Sequence, residues 1–98
     1  MTYTVHKLSI DEGAYSAVSA GYQGSFHVME RITYPEGELK RDFVESLDDI
    51  EVGDRAYFTS INGNYLVTST IKEVLPQLDP NVVSFKTQTS TYKVEQTL

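Results

Sequence analysis

General acid–base or metal chemistry needs a histidine or carboxylate with a second such group within about 3 Å. This chain has two histidines, His6 and His27, both in segments that read as strands, and their candidate carboxylate partners lie far away in sequence. Single strand histidines are mostly surface or half-buried structural residues. The carboxylate pairs Asp11-Glu12 and Asp48-Asp49 invite an acid–base or calcium reading. Neighbouring side chains on a helix, however, point about 100° apart, and the calcium-loop spacing Asp-x-Asp-x-Asp-Gly is missing. Serine and threonine total 19, without a Gly-x-Ser-x-Gly elbow to activate a nucleophile. Gly21-Tyr22-Gln23-Gly24 lacks the lysine and the following helix of a phosphate-binding loop. The absence of cysteine excludes disulfides, thiolate nucleophiles, sulfur-ligated zinc and iron–sulfur clusters. The expectation is therefore a protein that is not an enzyme, with no catalytic residue, no metal site and no cofactor.

Charge is more informative than chemistry. The chain has 14 acids and 8 bases, a net charge of −6. Eight of the acids and two of the bases, Lys40 and Arg41, fall between Glu36 and Asp54, and the rest of the chain is neutral. The whole excess thus belongs to one stretch of 19 residues. A solvated face that keeps a small protein soluble is the plainest use of such a run. The functional reading is a surface for a basic partner, because carboxylates attract basic surfaces and repel nucleic-acid phosphates. The candidate partner-binding residues are Glu36, Glu38, Asp42, Glu45, Asp48, Asp49 and Glu51. A minority alternative is a locally basic, tyrosine-lined sheet that touches nucleic acid through Lys72, Lys86 and Lys93, since seven tyrosines and four phenylalanines are available for stacking. Core packing accounts for Phe26, Phe43, Phe58 and Phe85 more simply.

The elements that must carry these residues read as mostly strand. Tyr3 to Ile10 alternates with β-branched content, and Asp11-Glu12-Gly13 breaks it. Ala14 to Ala20 has helix formers at helical spacing, with Gly21 placed as a C-terminal cap. Ser25 to Tyr34 alternates as one further strand, with Phe26, Val28, Glu30, Ile32 and Tyr34 on one side, ended by the turn Pro35-Glu36-Gly37. Leu39, Phe43, Leu47 and Ile50 are spaced four, four and three apart, which predicts a helix with Glu38, Asp42, Glu45 and Asp49 as an acidic stripe about 100° away. An extended Leu39 to Leu47 strand edge is the competing reading. In the C-terminal half, Ala56 to Ile61 and Tyr65 to Val74 read as strands joined through the hairpin turn Asn62-Gly63-Asn64. The second of these is long enough to bend from one sheet into another. A two-proline loop, Leu75 to Asn81, then leads to strands Val82 to Thr87 and Thr91 to Gln96.

Ninety-eight residues, 40% hydrophobic and 22% charged, correspond to one folded domain. The expected fold is β-dominated α+β, a small antiparallel curled sheet or partial barrel of about six strands with one or two short helices. Residues 1–50 hold the strand, helix, strand and acidic helix, and residues 51–98 a β-meander. The segment after Met1 lacks the pattern of a signal peptide, and no apolar run approaches the roughly 18 to 20 residues that span a bilayer. A soluble, cytoplasmic protein of a host cell is expected, without membrane association.

One resemblance adds to this. Asn62-Gly63-Asn64-Tyr65-Leu66-Val67-Thr68-Ser69-Thr70-Ile71, followed by Phe85-Lys86-Thr87-Gln88-Thr89-Ser90-Thr91-Tyr92-Lys93-Val94, resembles small phage and mobile-element proteins. In those proteins a Thr-Ser-x-Ile/Val strand precedes a Thr-x-x-Ser/Thr-x-Tyr strand in a small β-barrel. The resemblance covers about half the chain and leaves the acidic segment without a counterpart. It implies an accessory protein of a phage or integrated element, a setting in which compact acidic inhibitors such as anti-CRISPR proteins occur. The expected function is a non-enzymatic protein-binding module that uses its acidic surface against a basic partner, such as a nucleic-acid-binding host protein. The alternative is a structural, self-assembling protein that forms homo-oligomers, and the third reading is a nucleic-acid-binding small β-barrel.

Overall fold

A computed structural model describes residues 1–10 and 19–97. Nine strands occur among them: β1 (Thr2–Ile10), β2 (Gln23–Phe26), β3 (Val28–Thr33), β4 (Lys40–Phe43), β5 (Arg55–Thr59), β6 (Tyr65–Val67), β7 (Ile71–Val74), β8 (Val82–Thr87) and β9 (Ser90–Thr97). They form a five-stranded sheet, order β2-β1-β9-β8-β7, and a four-stranded sheet, order β4-β3-β5-β6, each antiparallel throughout. The helical content among the described residues is two 3-10 turns, Pro35–Gly37 and Leu47–Asp49. The β-dominated expectation holds, while the sheets stay open and face each other instead of closing into a barrel.

One core joins the sheets. Tyr3, Val5, Phe26, Ile71, Val83, Phe85, Tyr92 and Val94 from the first meet Met29, Ala56, Phe58 and Leu66 from the second. These residues alternate with half-buried or exposed neighbours along their strands, as a strand with one buried face requires. Phe26 and Phe58 touch across the interface with ring centroids 5.7 Å apart. Lys7 shares the inward side of β1 and places its ammonium 5.5 Å from the Tyr92 ring centroid, and burial lowers its pKa.

Three expectations are corrected. Ser25 to Tyr34 is not one strand: it breaks at His27, so that β2 joins the first sheet and β3 the second, with Phe26, Met29 and Ile32 buried. The helix expected through Leu39, Phe43, Leu47 and Ile50 does not form. Lys40–Phe43 pairs with β3 as an edge strand, and only Leu47 and Ile50 reach the core, while Leu39 and Phe43 stay exposed at 60% and 72%. The helical periodicity was satisfied by a strand followed by a single 3-10 turn, because the open side of β3 offered backbone partners that an isolated short helix would have had to forgo. The extended-edge reading is correct over Lys40–Phe43 only. Finally, the C-terminal strands do not make one meander: β5 and β6 belong to one sheet and β7, β8 and β9 to the other. The helix expected over Ala14 to Ala20 falls largely on residues outside those described.

The stretch Tyr65 to Val74 does pass from one sheet to the other, and Thr68 makes the passage. Its N–H donates to the Ala56 carbonyl at 2.9 Å, as a ladder would require, but its own carbonyl turns away to accept from Arg55 Nε at 2.9 Å. The Thr68 hydroxyl takes over, accepting from the Ala56 N–H at 3.1 Å and donating to the Ser69 carbonyl at 2.9 Å. Ile71 then exchanges bonds with the turn before β5, its N–H donating to the Asp54 carbonyl at 2.8 Å and its carbonyl accepting from the Gly53 N–H at 2.9 Å.

Candidate functional site

The acidic segment folds as a turn, an edge strand, a second turn and a loop. Glu36 adopts φ 53° and Gly37 φ 82°, which lets the chain reverse tightly after β3. Ser46 caps the second 3-10 turn: its Oγ accepts from the Asp48 N–H at 3.3 Å, and the Asp49 carboxylate accepts from the Ser46 N–H at 3.1 Å. Leu47 and Ile50 enter the core on either side of that turn and leave Asp48 and Asp49 exposed.

The registers place most of these acids together. Thr33 pairs with Lys40 and Ile32 with Arg55, so the turn carrying Glu36 and Glu38 and the loop carrying Glu51 lie at the same end of the four-stranded sheet. Arg31, on the core side of β3, ties the second 3-10 turn to this end. It donates to the Asp49 carbonyl at 2.9 Å and stands 3.6 Å from the Asp54 carboxylate. Glu36, Glu38 and Glu51 therefore lie at one end of the four-stranded sheet, and the turn bearing Asp48 and Asp49 is tied to β3 through the Asp49 carbonyl, all five acids being exposed. Glu45 is exposed as well, but it follows the opposite end of β4, where the Val44 N–H donates to the Met29 carbonyl. Asp42 is half-buried and stands 3.8 Å from Lys40. Among the described residues none of the six exposed acids is in an ion pair; the nearby cations Arg31, Lys40 and Arg41 face Asp54, Asp42 and Glu30.

Asp54 is the buried member of the segment, 6% exposed, and its Oδ2 has no hydrogen bond among the described residues. Burial raises its pKa, against a smaller lowering by the Arg31 charge. It is a structural acid, holding the start of β5 to β3.

Sequence reasoning missed the outer face of the four-stranded sheet. There Glu30, 13% exposed at its side chain, accepts from Arg41 at 2.8 Å, and the Arg41 guanidinium lies 4.7 Å from the Tyr57 ring centroid. Tyr57 stacks on Tyr65 at 6.2 Å with ring planes 10° apart. Val28, Ile32 and Val67 fill the positions between, and Phe43 completes the row through Glu30 and Tyr57. The signal was the strict alternation of Glu30 and Ile32 and of Tyr57 and Thr59, which places these residues opposite Met29 and Phe58.

The histidines are not brought into a shared site. His6 Nε2 lies 3.8 Å from Glu95, and His27 Nδ1 accepts from the Ile61 N–H at 3.4 Å. No group of three or more histidines and carboxylates at metal-binding distance occurs among the described residues. The lysines of the nucleic-acid alternative are partly matched: Lys86 faces Glu73 at 3.9 Å, and Lys93 faces Glu95 at 3.0 Å, a hydrogen bond that lowers the Glu95 pKa. A groove of about 550 Å³ lies between Tyr22–Phe26 and Gly63–Tyr65, and its lining residues, Tyr22, Gln23, Gly24, Ser25, Phe26, Gly63, Asn64 and Tyr65, include no histidine, acid or lysine. No helix among the described residues is long and apolar enough to cross a membrane. Compared with known proteins, the chain matches no family model, no curated protein and no solved structure.

Proposed function

We propose that this chain is a non-enzymatic, intracellular protein-binding module whose acidic end meets a basic protein surface, one that otherwise grips nucleic acid. The observation that carries the reading is the placement of Glu36, Glu38 and Glu51 at one end of the four-stranded sheet, with the turn bearing Asp48 and Asp49 tied to β3 through Arg31 and none of the five ion-paired among the described residues. Carboxylates left uncompensated on a rigid frame generate a local field that steers a cationic partner and loses strength as salt rises. The resemblance of Asn62–Ile71 and Phe85–Val94 to small phage and mobile-element proteins supports the role of an accessory or inhibitor protein, of the anti-CRISPR kind, in such a setting.

The test spares the acids that hold the fold. Glu36→Gln, Glu38→Gln, Asp48→Asn and Glu51→Gln are combined, leaving Glu45 at the opposite end, Asp42 beside Lys40, Asp49 in its cap and Asp54 in the interior. Immobilised wild-type and variant chains are exposed to nuclease-treated lysate of the host at low and moderate salt, and the retained proteins are identified. A basic protein held by the wild type, released by salt and bound about tenfold or more weakly by the variant is expected. Equal retention by both chains removes the acidic-end mechanism.

A further inference from the structure

β4 ends its sheet, and its residues are complementary to themselves. Among the described residues nothing pairs with its outer edge. The Val44 N–H donates to the Met29 carbonyl. Antiparallel alternation therefore turns the backbone groups of Lys40 and Asp42 toward β3 and those of Arg41 and Phe43 toward the open edge. Edge strands with unpaired backbone groups are templates for another strand, and soluble proteins ordinarily blunt them. Here the edge is flanked by two large apolar side chains, Leu39 at 60% and Phe43 at 72% exposure, that the fold does not use.

We infer that β4 pairs antiparallel with β4 of a second copy about a two-fold axis through Arg41, joining two four-stranded sheets into one of eight strands. Centred there, the stretch Leu39-Lys40-Arg41-Asp42-Phe43 reads the same in both directions, apolar, charged, Arg, opposite charge, apolar. Lys40 faces Asp42 of the other copy twice and Leu39 faces Phe43 twice, with all partners on matching faces of the joined sheet. The only like-charge pair, Arg41 on Arg41, is already neutralised, since each guanidinium is held by its own Glu30 at 2.8 Å and lies over its own Tyr57. Shifting the register by two residues to centre on Asp42 would instead oppose two carboxylates, so charge selects the first register. The pairing neither uses nor requires the acidic end. Each copy carries a net charge of −6, so added salt screens their mutual repulsion and strengthens the dimer, whereas it weakens binding to a basic partner.

The test is sedimentation of the full chain over about a hundredfold range of concentration at two salt levels. A monomer–dimer equilibrium that tightens with salt is expected. Lys40→Asp places two acids against Asp42, and Asp42→Lys places two bases against Lys40, so each variant alone should dimerise about tenfold more weakly. An equimolar mixture of the two should recover association, because the acid introduced at position 40 of one copy then meets the base introduced at position 42 of the other, while the native Asp42 of the first meets the native Lys40 of the second. Phe43→Lys, which alters an exposed side chain, should leave a folded monomer by thermal melting. A wild-type chain that stays monomeric throughout, a mixture no tighter than its components, or a Phe43→Lys dimer of unchanged strength overturns the pairing.

Discussion

Thr68 allows the crossover between the sheets to be tested quantitatively. The residue is fully buried, and so is Ala56, whose N–H has the Thr68 hydroxyl as its acceptor at 3.1 Å. Thr68→Val keeps the shape and removes the hydroxyl, leaving the Ala56 N–H buried and unsatisfied and the Ser69 carbonyl without the bond it receives at 2.9 Å. An orphaned buried donor costs about 1–3 kcal/mol, so about 2 kcal/mol is expected, and in a domain of this size that lowers Tm by about 8–16 °C. Thr68→Ser keeps both bonds and loses one methyl group, for about 1 kcal/mol and a Tm drop of about 4–8 °C. Urea and thermal unfolding of the three proteins give the ranking directly: wild type, then serine, then valine. If valine matches the wild type or exceeds serine in stability, the hydroxyl does not replace the missing ladder acceptor, and the reasoning on the crossover fails.

Two further perturbations probe other parts of the frame. Burial raises the Asp54 pKa above its ordinary 3.8, so the folded state binds the proton more tightly than the unfolded state does. Its contribution is complete below the unfolded pKa and is lost as pH rises through the folded one, so the stability of Asp54→Asn relative to wild type should climb as pH is raised from about 4. A difference that is flat or falls with pH would mean that Arg31 outweighs desolvation. A Cβ at Gly24 would collide with the Tyr22 hydroxyl and stand 2.8 Å from its Cζ, so Gly24→Ala must displace a ring packed against the core. A loss of about 1–3 kcal/mol is expected by urea unfolding, and an unchanged midpoint would show that the ring is free to move.

The strands that were legible in the sequence are those whose alternation coincides with a buried face. Alternation marks Val82–Thr87 to the residue, and Thr2–Ile10 and Ser90–Thr97 nearly so, because Tyr3, Val5, Val83, Phe85, Tyr92 and Val94 all point inward. The turns at Gly37 and Gly63 were legible for a different reason, since both residues adopt positive φ. His27 was not. Alternation runs through it undisturbed, and the break is tertiary, set by the Phe26 ring joining one sheet and Met29 the other. The acidic segment misled for a similar reason: Leu47 and Ile50 are core residues at helical spacing, but Leu39 and Phe43 complete the pattern only by coincidence. The exposure of the acids at one end depends on strand register, which no local pattern encodes, so their composition was readable and their gathering was not.

The position of β9 bears on how the chain comes off the ribosome. β9 lies between β1 and β8, pairing with β1 from Thr2 opposite Thr97 to Ile10 opposite Ser90. β1 thus waits for a strand made much later in the chain, and until Ser90–Thr97 have emerged, β1 and β8 expose edges and apolar side chains with no neighbour between them. Sheet completion is consequently a late, long-range closure. A nascent chain of this design would accumulate as an open hairpin-rich species, the state most exposed to a holdase or a protease, and would then consolidate in one step when β9 slots into the gap.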